Sequence, residues 1–191
     1  MADFFTKIMD EETCCIMGYS GNMKRVVIPA NLAGKKVTIL YDALFKGHTE
    51  ITEIKIPQTV TNMGSYIFDG CSKLKKVELP EGLTDIWEYG FARSSIEEIT
   101  IPDGVRTIMP YTFKDCKELK KVVCGRGLRK ICAGAFEGCE KLEDVVCGPQ
   151  VKVSPEAYDT GIPDFSVHEQ AVQAPGYADL ESGSGGGGGK K

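Results

Sequence analysis

The stretch Ile56-Pro57-Gln58-Thr59-Val60-Thr61-Asn62-Met63-Gly64-Ser65-Tyr66-Ile67-Phe68-Asp69-Gly70-Cys71-Ser72-Lys73-Leu74-Lys75-Lys76-Val77-Glu78-Leu79-Pro80 decides how this chain is read. Its pattern returns at intervals of 22 or 23 residues, marked by Phe45, Phe68, Phe91, Phe113, Phe136 and Tyr158. After each aromatic comes Ile51, Leu74, Ile96, Leu119 or Leu142, with Ile96 arriving one residue early. Next are Ile54, Val77, Ile99, Val122 and Val145, then Ile56, Leu79, Ile101, Cys124 and Cys147. Val60, Leu83, Val105, Leu128 and Val151 follow, and then Met63, Ile86, Ile108, Ile131 and Val153. Columns kept in register at such a period mark a stack of repeats.

Each repeat has a physical reading. Lys76-Val-Glu-Leu79 and Glu98-Ile-Thr-Ile101 alternate polar and apolar residues, as a half-buried strand does. Pro57, Pro80 and Pro102 then end the strand, because proline has no N–H to donate. A second short extended piece carries Met63 or its equivalent, and the aromatic fills the space between the two walls. One coil cannot bury its apolar face alone, whereas stacked coils can. The expected fold is mainly β with little helix: a solenoid of about six coils. One wall would be a parallel inner sheet, and the opposite wall short extended segments.

The remainder of the chain frames this array. Residues 1–27 read as an N-terminal cap and first strand, with Ala2 to Met17 burying Phe4, Phe5 and Ile8. The solenoid runs over 28–161, an extension that could cap the open end over 162–181, and a flexible Gly-rich tail over 182–191. Of 22 glycines, six lie in the last ten residues. The net charge of −4 disfavours a nucleic-acid partner, since phosphate binding needs surplus positive charge. No apolar run is long enough to span a membrane, so no membrane insertion is expected. With no signal-peptide pattern and eight cysteines, the chain reads as cytoplasmic with reduced thiols. Removal of a leader would instead place it at the cell surface or outside the cell.

The motif Ile56-Pro-x-x-Val60-Thr-x-Met63-Gly-x-x-x-Phe68-x-x-Cys71-x-x-Leu74-x-x-Val77-x-Leu79-Pro resembles the BspA-like leucine-rich repeats of bacterial and protozoan surface proteins. The opening, Gly18-Tyr19-Ser20-Gly21 and Val26-Val27-Ile28-Pro29 through Thr38, is similar to that family's first coil. The resemblance covers residues 13–161. It implies a right-handed curved leucine-rich-repeat solenoid used for protein binding, in known members often adhesion.

The candidate site residues fall into repeat columns. Cys71, Cys116 and Cys139 share one column and Cys124 and Cys147 another, so they read as small core residues, with adjacent-coil oxidation a lesser alternative. His48 reads as a turn residue bonding backbone; His168 lies in the extension. No metal spacing, phosphate loop or nucleophile motif is present, so no catalytic residue, cofactor or metal is expected. The outward column Glu53, Lys76, Glu98, Lys121, Asp144 alternates in sign, which predicts a charge ladder between coils. A second outward column, Lys55, Glu78, Thr100, Val123, Val146, turns apolar toward the C-terminal coils. Thr100, Lys121, Val123, Arg126, Asp144 and Val146 are therefore the expected partner-binding surface. Tyr66, Tyr89 and Tyr111, with Trp87 one column away, form a secondary aromatic surface. The expected function is a non-catalytic scaffold, monomeric rather than oligomeric, presenting its inner sheet to a protein. The alternative is a structural element that self-associates through its terminal coils.

Overall fold

A computed structural model describes residues 3–159. Fifteen short strands and no helix make up the described chain. The first eight are β1 (Asp3–Ile8), β2 (Thr13–Ser20), β3 (Arg25–Val27), β4 (Asn31–Leu32), β5 (Lys35–Leu40), β6 (Glu53–Lys55), β7 (Asn62–Met63) and β8 (Lys76–Glu78). The rest are β9 (Asp85–Ile86), β10 (Glu98–Ile101), β11 (Thr107–Ile108), β12 (Lys121–Cys124), β13 (Lys130–Ile131), β14 (Asp144–Val146) and β15 (Lys152–Val153).

The strands stack as the repeat demands. On the first wall β3-β6-β8 and β10-β12-β14 form parallel sheets; on the second, β2-β5-β7-β9 and β11-β13-β15 do the same. The result is a β-solenoid of roughly six turns. On the first wall a proline or glycine closes each strand, and within the regular repeats no strand exceeds four residues.

A phenylalanine spine runs between the walls. Phe45, Phe68, Phe91, Phe113 and Phe136 are fully buried, with successive ring centroids 5.6, 5.2, 5.5 and 5.6 Å apart. Backbone bonds run alongside: Phe45 N–H donates to Ile67 O, Phe68 N–H to Gly90 O, Phe91 N–H to Thr112 O and Phe113 N–H to Ala135 O. Cys71, Cys116 and Cys139 each donate a thiol to the carbonyl of Phe45, Phe91 or Phe113 at 3.0 Å. Their column is thus a donor to the spine as well as a filler.

Both walls are interrupted at one place. β8 and β10 belong to different sheets, as do β9 and β11, and no backbone bond joins either pair among the described residues. The loop feeding β10, Ala92-Arg93-Ser94-Ser95, is one residue shorter than its counterpart Asp69-Gly70-Cys71-Ser72-Lys73. Ser95 Oγ donates to Ser72 O at 2.6 Å and Ser94 takes the cysteine position, its Oγ 3.5 Å from Cys116 Sγ. The shorter loop leads into β10, which forms no backbone ladder with β8. At this seam the spine alone carries the backbone ladder across.

The N-terminal expectation needs correction. β1 pairs antiparallel with β2 at the edge of its sheet, and only Phe4 packs inward, against Tyr19 at 5.3 Å. Phe5 and Ile8 are each 58% exposed. A strand at the edge with one neighbour has nothing to cover its outer face, and Phe5 merely crosses Gly18. The extension over 162–181, the tail over 182–191 and His168 lie outside the described residues.

Truncating the central ring, Phe113→Ala, removes contacts to both neighbouring coils and should cost about 3–5 kcal/mol. Urea unfolding measures it; a loss below about 1 kcal/mol would show that the spine is not what holds the stack.

Candidate protein-binding surface

The register of the first wall sets out its outward residues. Glu98, Lys121 and Asp144 align across β10, β12 and β14, and Thr100, Val123 and Val146 form the next row. Val123 and Val146 are half-buried side by side, and Thr100 is exposed. Lys121 Nζ reaches Asp144 at 3.8 Å, and Arg126 Nε reaches Asp103 at 3.3 Å. The six residues expected as a partner surface therefore share one stretch of wall. The row begins earlier than the repeat suggested: Val27, paired with Lys55, is 66% exposed. The irregular first coil hides it from a period of 22 or 23.

Within the expected column Glu53, Lys76, Glu98, Lys121, Asp144, the Lys121–Asp144 contact is the one ion pair between neighbouring coils among the described residues. Arg25–Glu53 at 3.1 Å, Glu97–Lys120 at 3.3 Å and Lys121–Asp144 join neighbouring coils. So do Lys117–Glu140 at 2.9 Å and Glu118–Lys141 at 2.7 Å. Lys76 turns instead to Glu78 on its own strand, at 3.0 Å. The coils of β8 and β10 are joined instead by Arg93 and Asp69, at 2.7 Å.

One ionic cluster was not legible as a column. Asp69, its side chain fully buried, receives Arg93 Nη2 at 2.8 Å on Oδ2 and has Lys46 Nζ at 3.5 Å. Arg93 and Lys46 come from the two flanking coils, so the carboxylate clamps three coils together. A buried carboxylate persists only when paired in this way.

The aromatic surface divides. Tyr66, Tyr89 and Tyr111 stack at 4.8 and 5.0 Å, capped by Lys46 over Tyr66 at 4.5 Å and Lys114 at 5.2 Å from Tyr111. All three have positive φ, between 57° and 60°, as does Ala43 one coil earlier. The column ends at Gly134, also at positive φ, where a β-carbon would collide with the Tyr111 ring. Trp87 does not join the stack. It is 43% exposed beside Met109 at the second-wall seam, in a hollow of about 500 Å³.

His48 corrects its expectation: its Nδ1 lies 2.9 Å from Glu50 Oε1, and its ring meets Tyr19 edge-on at 5.1 Å. The ring meets a carboxylate, while the backbone N–H of His48 donates to Phe45 O. The ring's hydrogen bond holds the Glu50 carboxyl below its ordinary value. All eight cysteines are free thiols. Burial pushes Cys71, Cys116 and Cys124 up to about 12, which suppresses the reactive thiolate. Among the described residues no group of three or more His, Cys, Asp or Glu could hold a metal ion, and no helix is long and apolar enough to cross a membrane.

Stacked parallel strands, a column of buried aromatics and outward rows of exchangeable residues define a leucine-rich-repeat solenoid, a class that commonly serves as a protein-interaction scaffold. The BspA type leucine rich repeat region matches residues 38–159 in six copies, and the chain belongs to that family. No curated protein matches it. Among solved structures it is similar to the leucine-rich repeat protein of T. pallidum, at 30% identity and a TM-score of 0.72, over 75% of this chain and 68% of that one. It is also similar to a leucine-rich repeat protein of Bacteroides ovatus, at 26% identity and TM-score 0.61, over 81% of this chain and 49% of that one. The pneumococcal vaccine antigen PcpA shares the fold, at 15% identity and TM-score 0.63, over 73% of this chain and 34% of that one. The chain thus spans about half or less of two of these three proteins. Solenoids of this family are typically non-enzymatic.

Stability should depend on pH from both sides. A thiol whose folded pKa lies above its unfolded 9.0 contributes fully below 9.0, and the contribution is lost as pH rises toward about 12. Glu50, Glu78 and Glu118 are held below their ordinary 4.5, so their contribution is present above 4.5 and lost as pH falls through the lowered values. Melting temperature should plateau between these limits, and Cys116→Ala should make the alkaline fall shallower. An alkaline limb unchanged in that variant would remove the thiols from the explanation.

Proposed function

We propose that this chain is a non-catalytic scaffold that presents the first wall of its solenoid, as an inner sheet, to a protein partner. The observation that carries this reading is the Val123–Val146 pair. Two apolar residues stand side by side on β12 and β14, rimmed by the Lys121–Asp144 ion pair and by Arg126. Small apolar patches enclosed by charge are what a protein partner buries. Outward residues on these strands can change without disturbing the core, so the wall accepts a recognition pattern at little structural cost. An adhesin-like surface role is the narrower form of the same reading, supported by the family resemblance.

A second reading has its own observation. Among the described residues the outer edge of β1 has no partner strand, and Phe5, Ile8, Met9 and Met17 are exposed on or beside β1 and β2. Such an edge can pair with another copy of the chain. Affinity capture combined with light scattering separates the two. The scaffold reading expects a monomer whose captured partner is lost in the Val123→Asp, Val146→Asp double variant while the melting temperature holds. Retention of every partner by that variant contradicts it, and growth of the particle with concentration supports the second reading.

A further inference from the structure

The seam leaves an opening on each wall, a groove between β8 and β10 on the first and the hollow beside Trp87 on the second. The second-wall hollow adjoins a strip of uncompensated positive charge. Asp85, Ile86 and Trp87 line one side of it, and Arg106, Thr107 and Met109 the other.

Register carries the strip onward from Arg106. Arg129 N–H donates to Arg106 O at 2.9 Å, which sets these two arginines on neighbouring coils. Thr107, Lys130 and Lys152 align across β11, β13 and β15. Val105, Ile108, Leu128 and Ile131 are buried, so the residues between them face out. Arg106, Arg129, Lys130 and Lys152 are all exposed, and residues 105–109, 128–132 and 151–154 contain no Asp or Glu. None of the four cations makes an ion pair among the described residues. Arg129 donates instead to the carbonyls of Arg126 and Leu128, each at 2.8 Å. Asp103, in the turn before β11, is already paired with Arg126 at 3.3 Å. Glu156, the first acid after β15, makes no ion pair with Lys152.

Stability alone does not select this arrangement. Lys130 and Lys152 are direct partners in a parallel ladder, where strands lie about 4.8 Å apart and like charges repel. On the first wall Lys121 has Asp144 as its ladder partner and pairs with it. The backbone of β13 is bonded on both sides, to β11 and β15, so no incoming segment can join this wall there as a strand. Recognition falls to the side chains.

Those side chains suit one class of polymer. A sugar ring presents a face of C–H bonds, which the electron-rich face of an indole attracts. Sulfate groups on the same polymer match guanidinium and ammonium groups. Asp85 fits the same scheme: its Oδ2 accepts from Thr84 Oγ1 at 2.7 Å and Asn62 Nδ2 at 3.3 Å, and its charge repels sulfate but accepts sugar hydroxyls. It therefore directs the anionic groups to the Arg106 side of the hollow.

We propose that the second wall binds a sulfated polysaccharide. One sugar ring stacks on Trp87 in the hollow, and sulfate groups further along the polymer are held by Arg106, Arg129, Lys130 and Lys152. From Arg106 to Lys152 the strip crosses three coils, about 10 Å at ~4.8 Å per coil, a run of charge that a polymer can span and a single anion cannot. The site goes beyond the first-wall reading and shares no residue with it.

Fluorescence anisotropy with the full chain tests this, using a fluorescein-labelled heparin octasaccharide. The controls are the same octasaccharide without its sulfates, a polyglutamate peptide and a single-stranded DNA of matched charge. The sulfated probe should bind at least about tenfold more tightly than each control. The Lys130→Gln, Lys152→Gln double variant should weaken it by about tenfold and flatten the loss of affinity with salt. Trp87→Ala should weaken it by about fivefold and leave the salt dependence unchanged, because stacking on a ring is not screened. No binding, equal binding of the desulfated probe, or binding of the peptide or DNA as tight as that of the sulfated probe overturns the proposal. So does full affinity in either variant. Melting curves should show the lysine variant at least as stable as the parent chain, since a repulsion is removed; a fall would make the lysines structural and also overturn the proposal.

Discussion

No coil of this chain can bury its own apolar face, and the stacking of one phenylalanine ring on the next is how the coils resolve that constraint. Rings little more than 5 Å apart match the spacing of parallel strands, so the spine and the two ladders share one rise per coil. The ladders set register, and the spine adds one fully buried ring to each joint. The difference shows where a loop loses one residue. Between β8 and β10, and again between β9 and β11, both ladders lapse, yet Phe91 still stacks on Phe113 and still donates to Thr112 O.

Much of this was legible because a solenoid repeats its physics with its residues. Each core column could be read directly, from Ile51 to Leu142 and from Val60 to Leu128, since burial imposes the same residue class at every turn. What escaped fell between columns or broke a local rule. The Asp69 clamp joins residues of different columns, and only the folded chain brings Arg93 and Lys46 to one carboxylate. Tyr66, Tyr89 and Tyr111 adopt a backbone conformation that favours glycine, and nothing in a tyrosine announces it. At these positions the mutual stacking of the rings offsets the strain. Phe5 and Ile8 misled for the opposite reason: an edge strand with one partner looks, residue by residue, like a strand with two.

The candidate surface was legible in its residues but not in its shape. Register alone aligned Thr100, Val123 and Val146. The early arrival of Ile96 was visible in the spacing, but its consequence was not. A one-residue deletion in a loop could have been absorbed by the loop, and here it is expressed in the adjoining strands as a groove. The shortened loop adjoins the first wall's one interruption among the described residues, where a groove opens between β8 and β10.

Amide hydrogen exchange, resolved by residue, tests most directly whether the solenoid is two stacks joined by a continuous spine. Glu98 and Thr100 face the seam, while Lys121 and Val123 occupy the same columns one coil on and face a paired neighbour. The amides of Glu98 and Thr100 should exchange at least about tenfold faster than those of Lys121 and Val123, while Phe91 and Arg93, bonded across the seam to Thr112 and Lys114, stay protected. Equal protection of all four strand amides would mean that the ladder is whole at the seam, and the account would fail.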